Sequence, residues 1–216
     1  MGPNKSCVYP EYLPDTVVPS EKKYSSFFLE ELKEIEGLVV YDPTKTFIEN
    51  KFQEGFLYWK TDTHWNAKGV FIAYSGLLNA IALDAIDEID FRQGKPYGGD
   101  LIDISLLNNY PLSPEDNWEV GIGVGSSWTE KIIHGEMVTE FGSPSVVKNS
   151  NSAVSKVVWV VGDSFIKGLK PYLNATFKEV HYLGHWQYKL ESLPELISSG
   201  NQLPDVIIIE MVERSL

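Results

Sequence analysis

The sequence predicts an α/β fold: a mostly parallel sheet between two layers of helices. Four short runs are rich in Val and Ile at consecutive positions, as in strands that are covered on both faces. They are "GLVVYD" (37–42), "KVVWVV" (156–161), "KEVHYL" (178–183) and "DVIIIE" (205–210). Helical patterns lie between these runs. Alternation of strand and helix implies parallel strands joined by crossover helices.

Each helix is predicted from its apolar periodicity and end signals. The first covers 20–37, where Ser20 is a candidate cap, Gly37 a candidate stop, and one face carries Phe28, Leu32 and Ile35. A second pattern, "NAKGVFIAYSGLLNAIAL", begins at a candidate Asn66 cap. Two more helices are predicted over 165–173 and 191–199.

The stretch from 92 to 155 differs from the rest of the chain. It contains "YGGD", "GIGVGSS" and "FGSPS", with only weak alternation in "WEVGIGVG" and "EKIIHGEMVTEF". Such glycine-rich sequence is typical of turns and small antiparallel strands. We predict one domain over residues 1–216, in which 92–155 is an insertion or lid over one rim of the sheet.

Composition excludes several functional classes. The formal net charge is -12, and no basic patch is visible, so we do not expect nucleic acid as a partner. Cys7 is the one cysteine and cannot form an intrachain disulfide. No apolar run is long enough to span a bilayer, and "MGPNKSCVYP" has no signal-peptide core.

"VVWVVGDSF" at 157–165 places Ser164 where a buried strand turns into a helix. Such a turn exposes a hydroxyl and directs backbone N–H groups to the same place, which suits a serine nucleophile and an oxyanion. The same residues also suit an ordinary turn with a helix cap, and "GDS" alone does not separate the two interpretations.

A serine nucleophile needs a base, and His64 in "TDTHWN" is the best candidate. It lies just before the Asn66 cap, where the helix dipole disfavours the imidazolium form. Asp62 lies on the same side of an extended segment and can fix the histidine tautomer. We predict that Ser164, His64 and Asp62 form a catalytic triad.

The other histidines and a metal site are the competing interpretations. His134 lies in the insertion, His181 in a predicted strand and His185 in the loop after that strand, so His134 and His185 are expected to be solvated. A zinc site built on Asp62 and His64 would need further protein ligands. The sequence offers no HExxH pattern and no cysteine near them, so we predict neither a metal nor another cofactor.

These motifs together resemble a known family. "YWKTDTHWNAKG", followed by "VVGDSF" and a terminal "PDVIIIEMVERSL", resembles the SGNH-hydrolase-like domain of alginate O-acetyltransferases of the AlgX and AlgJ type. The segments "NKSCVYPEYLP" and "YGGDL" are similar to family segments as well. In that family the Asp-x-His pair precedes the GDS serine, a circularly permuted order relative to other SGNH esterases.

The resemblance implies a three-layer SGNH-hydrolase-like fold and acetyl transfer through an acetyl-serine. Ser164 would be the nucleophile, His64 the base and Asp62 its orienting acid. The implied partners are an exopolysaccharide acceptor, alginate or another glycan, and an acetyl donor supplied through a membrane-bound O-acyltransferase. The implied location is the bacterial envelope, in the periplasm. Family members have a strand before the "PNK" segment, so we expect further residues upstream of Met1.

Several residues near these motifs are predicted to bind substrate. Aromatic rings stack on sugars but more often fill cores, and an arginine past the last strand can bind an anionic sugar or form a surface ion pair. The candidates are Trp65, Tyr58, Lys60, Arg214 and Asp100. Because the net charge is -12, an anionic acceptor would need local basic residues such as Lys60 and Lys68, and a neutral acceptor fits the charge at least as well.

Two alternatives to a transferase stay open at the level of sequence. A carbohydrate O-acetylesterase would use the same triad and oxyanion hole, with water in place of the sugar hydroxyl. A catalytically inactive domain that binds glycan or acts as a scaffold would keep the fold without the chemistry.

Overall fold

The structure is a computed structural model that describes residues 1–20, 23–107, 109–123, 126–200 and 203–216. The chain separates into two compact units. The first unit comprises Met1–Ala85, Phe91–Glu119 and Val212–Leu216, and the second comprises Ile86–Asp90 and Val120–Met211. The boundary falls inside the predicted insertion, because 92–119 belongs to the first unit and 120–155 to the second.

The first unit is built mainly from helices. These are α1 (Lys5–Val8), α2 (Tyr24–Lys33), α3 (Thr44–Asn50), α4 (Ala67–Ala80) and α5 (Asp100–Ile104). The strands β1 (Ile89–Gln93) and β2 (Trp118–Ile122) form a separate two-stranded sheet, of which residues 91–93 and 118–119 belong to the first unit. The predicted Asn66 cap of α4 is confirmed, because its side chain accepts hydrogen bonds from the backbone N–H groups of Lys68 and Gly69.

Two predictions for the amino-terminal part are wrong. The run 37–42 forms no strand: Leu38 and Val39 are exposed, and the described residues pair no strand with it. A Val-rich run becomes a strand only where a neighbour satisfies its backbone groups. The predicted helix 20–37 is shorter, since α2 covers Tyr24–Lys33 and follows Lys23 rather than Ser20. Residues 21 and 22 of that prediction lie outside the described residues.

The second unit contains the main sheet and the helices packed on it. Its elements are β3 (Thr129–Ile132), β4 (Ser145–Lys148), β5 (Val154–Gly162), α6 (Ile166–Thr176), β6 (Phe177–His185), α7 (Trp186–Lys189), α8 (Leu193–Ser199) and β7 (Val206–Ile209). The strand order is β3-β4-β6-β5-β7. The three predicted strands at 156–161, 178–183 and 205–210 are thereby confirmed.

The sheet is mixed rather than mostly parallel. β5 runs parallel to both β6 and β7, whereas β4 is antiparallel to both β3 and β6. The antiparallel half arises because β3 and β4 come from the predicted insertion and extend the sheet from the edge of β6. The glycine-rich segment therefore contributes to the sheet as well as to its connections.

β5 is the central strand, and its burial explains its sequence. Residues from Val158 to Gly162 are all buried. On one side, Trp159 and Val161 pack against Leu193 of α8, with Leu183, Leu190 and Ile207 around them. Consecutive apolar residues are needed because both faces of the strand are covered. β5 ends at Gly162, which places the "GDS" turn at the carboxyl edge of the parallel strands.

Within the described ranges, every helix is too short or too polar to cross a bilayer.

Candidate active site

The Asp62–His64 pair lies in the first unit, on a loop held closed at its base. Tyr58 and Trp65 form an antiparallel bridge, and the N–H of Asn66 donates to the carbonyl of Leu57 (2.9 Å). Asn66 then caps α4. Residues 59–64 are therefore presented as a compact turn immediately before a helix, rather than as the extended segment expected from the sequence.

The carboxylate of Asp62 holds His64 through two hydrogen bonds. Its Oδ1 is 2.6 Å from Nδ1 of the His64 ring and accepts the backbone N–H of His64 at 2.9 Å. The two contacts fix both the backbone and the ring of the histidine. An ionised carboxylate opposite Nδ1 selects the tautomer with the proton on Nδ1, which gives Nε2 the lone pair needed in a base.

The second oxygen of Asp62 is held by a segment far along the chain. Oδ2 accepts the Tyr97 hydroxyl (3.2 Å) and the backbone N–H of Asp100 (3.2 Å). Thr61 binds the same segment, because its hydroxyl donates to the Tyr97 carbonyl (3.0 Å) and accepts the N–H of Gly99 (3.2 Å). Asp62 is buried and has a donor on each oxygen, so its orientation is fixed.

These contacts set the ionisation of the pair. Burial alone would raise the pKa of Asp62, but the hydrogen bonds from the ring and backbone of His64 outweigh it and lower the pKa to about 2. Burial, together with the negative charge of Asp62, raises the pKa of the Tyr97 hydroxyl to about 12. At neutral pH Asp62 is therefore an anion and Tyr97 a hydrogen-bond donor.

Asp100 and Arg214, both predicted to bind substrate, lie beside this turn. Asp100 accepts the backbone N–H of Thr63 (2.8 Å) and its hydroxyl (2.5 Å). Arg214 approaches from the carboxyl terminus, with Nη2 at 3.5 Å from the Thr63 hydroxyl. Both carboxylate oxygens of Asp100 thus have a local structural partner. Substrate binding by either residue stays a prediction.

Among the described residues, Asp62, His64 and Asp100 form a group that could hold a cation. One ligand atom from each lies within 4.8 Å of the others. The carboxylate oxygens already accept hydrogen bonds from His64, Thr63, Tyr97 and the Asp100 backbone. A cation bound to these oxygens and to Nδ1 of His64 would have to displace the hydrogen bonds that now hold the turn together. The arrangement fits an acid–histidine pair better than a metal centre.

Ser164 lies in the second unit, directly between β5 and α6. Asp163 organises the turn: its Oδ1 accepts the N–H of Phe165 (3.0 Å), and its carbonyl accepts the N–H of Ile166 (3.2 Å). Asp163 and Phe165 are buried, whereas Ser164 is partly exposed. Ser164 therefore lies between two buried residues whose hydrogen bonds fix the backbone of the turn.

Glu210 is the functional candidate that sequence reasoning missed. It follows β7, is buried, and accepts the N–H of Asp163 at Oε2 (3.3 Å). Burial and, next, the charge of Asp163 raise the pKa of Glu210 well above its usual value, which favours the neutral acid. The available signal was the acidic residue directly after the apolar run "VIII" at 206–209.

The aromatic residues predicted to line the site are in the core of the first unit. Trp65 is 3% exposed and lies 6.1 Å from the Phe47 ring. Tyr58 is 1% exposed, and its hydroxyl donates to the Pro3 carbonyl at 2.6 Å. Lys60 is exposed and pairs with Glu115. The burial of the two rings favours the packing role weighed for them in the sequence, and sugar stacking by them stays a prediction.

His185 is buried rather than solvated as expected. Its Nδ1 accepts the backbone N–H of Gln187 (3.2 Å), and its Nε2 lies 2.8 Å from Glu140. Both ring nitrogens of His185 are thus engaged. In the sheet, His185 pairs with Gly162, the last residue of β5 before the "GDS" turn continues. His181 lies 2.5 Å from Glu179 on β6, and His134 is exposed. None of the three has the arrangement of His64, whose Nδ1 faces a buried carboxylate.

Comparison with known proteins places the chain in a family. The profile described as "SGNH hydrolase-like domain, acetyltransferase AlgX" matches residues 1–109, which include Asp62, His64 and Asp100. The chain belongs to this family. Among curated proteins, none matches the sequence.

Solved structures show that the fold is shared with other proteins. PatB1 from Bacillus cereus is 19% identical with a TM-score of 0.69, over 100% of this chain and 81% of that chain. The O-acetyltransferase domain of Pseudomonas putida AlgJ is 19% identical with a TM-score of 0.59, over 99% and 73%. A DHHW family protein from Eubacterium siraeum is 13% identical with a TM-score of 0.69, over 99% and 76%. The SGNH-hydrolase-like α/β fold is therefore shared along nearly the whole chain.

Proposed function

We propose that this protein is a serine-dependent O-acetyltransferase that acts on an exopolysaccharide, with Ser164 as nucleophile, His64 as base and Asp62 as its orienting acid. The observation that carries the proposal is the buried Asp62 carboxylate, held on both oxygens and bonded to Nδ1 of His64 at 2.6 Å. This is the acid–histidine half of a catalytic triad. Membership of an acetyltransferase family supports the acyl-transfer chemistry.

The proposed reaction has two halves. In the first, Nε2 of His64 takes the proton of Ser164 as Oγ attacks the acetyl carbonyl of the donor. The tetrahedral intermediate then collapses, the donor oxygen leaves with the proton from His64, and acetyl-serine is formed. In the second, a sugar hydroxyl gives its proton to His64 and attacks the acetyl-serine, and the bond from the acetyl carbon to Oγ then breaks. His64 returns the proton to Oγ, which yields the acetylated sugar and regenerates Ser164.

The local surroundings of Ser164 support this role. α6 starts two residues later, so the positive end of its dipole favours the negative charge that develops on the carbonyl oxygen. The Asp163 side chain accepts the N–H of Phe165, and the buried Glu210 side chain accepts the N–H of Asp163. These two bonds hold the turn that carries Ser164. The proposal requires Oγ of Ser164 to lie within hydrogen-bond reach of Nε2 of His64.

The partners and location follow as part of the same proposal. We propose a periplasmic protein whose acetyl group arrives through a membrane-bound O-acyltransferase and leaves on a polysaccharide. Transfer is preferred over hydrolysis because the family is one of acetyltransferases. Exclusion of water from the acetyl-serine would favour attack by the sugar hydroxyl over attack by water.

Acetyl transfer can be measured directly by mass spectrometry of oligosaccharides incubated with an acetyl donor. Wild type should increase the mass of the acceptor in steps of about 42 daltons, one step for each acetyl group added. Ser164→Ala should abolish the increment, whereas Ser198→Ala, at an exposed helical serine, should leave it unchanged. Rapid removal of acetyl from a pre-acetylated glycan, with none added to any acceptor, would instead establish an esterase.

A further inference from the structure

An aromatic pocket in the first unit is not used by the proposed chemistry. The cavity has a volume of about 250 Å³ and is lined by Lys5, Tyr9, Tyr12, Phe56, Tyr58 and Lys60. Pockets for drug-sized ligands usually measure roughly 300–1,000 Å³. The aromatic pocket is therefore sized for a single ring rather than for several sugar units at once.

The walls of the aromatic pocket are rings arranged around Tyr9. The Tyr9 ring lies 6.0 Å from Tyr12, 6.3 Å from Phe56 and 6.2 Å edge-on from Tyr58. Tyr9 and Tyr58 are buried and form the base, whereas Tyr12 is 70% exposed at the rim. A buried aromatic base with one exposed ring offers a flat apolar face to an entering group, and sugar rings stack on such faces through their C–H groups.

Both lysines of the pocket already have polar partners. Nζ of Lys5 donates to the carbonyls of Trp59 (2.7 Å), Lys60 (2.9 Å) and Asp62 (3.1 Å), which uses its three N–H groups. Nζ of Lys60 pairs with Glu115 and lies 4.3 Å from the centre of the Phe56 ring. An anionic ligand would have to break one of these arrangements in a protein whose net charge is -12. The pocket therefore favours an uncharged ligand.

The pocket is continuous with the candidate active-site loop. Tyr58 and Lys60 line it, and Asp62 follows two residues later on the same turn. The bond from Lys5 to the Asp62 carbonyl ties the pocket wall to the backbone of the proposed triad acid. A ring held in the pocket is thus held next to the loop that carries Asp62 and His64.

We infer that the aromatic pocket binds one neutral pyranose ring of the acceptor glycan and selects it over a uronic acid. The inference rests on the proposed function for its substrate, since it assigns the acceptor of that transferase to an uncharged sugar class. Tyr12 is the specificity-determining residue that the structure exposes for stacking. Its removal should weaken glycan binding without altering attack on a small ester that does not reach the pocket.

Binding can be tested by nuclear magnetic resonance titration of the whole chain with two oligosaccharide series. One series comprises neutral hexose tetramers of different linkage, and the other comprises uronic acid tetramers. We expect neutral tetramers to shift resonances of Tyr9, Tyr12 and Phe56, with uronates binding at least about tenfold more weakly. Tyr12→Ala should raise the Kd for the neutral tetramer about three- to tenfold. Tyr24→Ala, which removes another exposed ring, should leave the Kd unchanged.

Hydrolysis of a small activated acetyl ester separates this inference from the proposed function. Tyr12→Ala should hydrolyse the ester at the wild-type rate, because Tyr12 is not part of the triad. Preferred binding of uronates, no binding of any neutral tetramer, or equal weakening by Tyr24→Ala would overturn the pocket assignment while ester turnover stayed intact. Neutral binding at the pocket with no ester turnover would retain the pocket and reject the transferase.

Discussion

At the scale of single residues, the central feature is how Asp62 is held. The spacing of Asp62 and His64 could be recognised in the sequence, because an acid two positions before a histidine can reach its Nδ1. The hydrogen bonds to the second oxygen of Asp62 could not be recognised, because their donors, Tyr97 and Asp100, lie 35 and 38 positions away in the sequence. Contacts at that separation have no periodic or local signal. The same holds for Glu210, which meets Asp163 only after β5 and β7 pair.

Replacing Asp62 by Asn tests its ionisation. The folded pKa of about 2 lies below the usual value of 3.8, so the anion stabilises the fold above pH 4, and this contribution disappears as pH falls through 2. Wild type should exceed Asp62→Asn in free energy of unfolding by about 2 kcal/mol at pH 6. The difference should shrink between pH 4 and pH 2, as followed by urea denaturation at each pH.

A difference between wild type and Asp62→Asn that stayed constant from pH 6 to pH 2 would contradict the lowered pKa. Glu115→Gln is a suitable control, because it changes an exposed carboxylate near the same loop. Ester turnover by Asp62→Asn should fall by up to about 10⁴-fold, since the amide favours the wrong histidine tautomer.

At the scale of elements, the helices and strands with regular apolar patterns could be predicted, but the irregular segment that holds Asp62 could not. The strands β5, β6 and β7 and the capped helix α4 follow from apolar runs and an Asn66 cap. The segment 97–101 has no such pattern, yet it encloses the side of Asp62 that faces away from His64. Gly99 is buried there, and a side chain at this position would overlap the Asp62 carboxylate.

The two neighbouring glycines offer a matched test of that segment. Gly99→Ala should displace Asp62 and lower ester turnover about 100-fold, because small misplacements of a catalytic group are costly. Its melting temperature should also fall, since the added methyl group overpacks a buried site. Gly98→Ala should be nearly neutral, because its added carbon would meet only Leu112 at 3.4 Å. Equal activity in the two variants would show that the close approach of Gly99 does not position Asp62.

At the scale of the whole molecule, the sequence predicted the α/β class but not how the chain is divided. The mixed sheet arises from β3 and β4. Weak alternation over 130–141 indicated a small antiparallel strand near β3, but no pattern in the sequence indicated β4 or showed that the two strands extend the main sheet. The proposed triad draws Asp62 and His64 from the first unit and Ser164 from the second. Its central claim is therefore that residues about a hundred positions apart act together on one acyl group.

The rate and site of labelling by a serine-reactive fluorophosphonate test this claim most directly. Intact-mass and peptide measurements should find one adduct, on Ser164. His64→Ala should slow labelling at least about 100-fold while its melting temperature stays close to that of wild type, because the base that activates the hydroxyl is gone. His134→Ala, at an exposed histidine, should label at the wild-type rate. An adduct on another residue, or equal labelling of Ser164 in His64→Ala, would contradict the account.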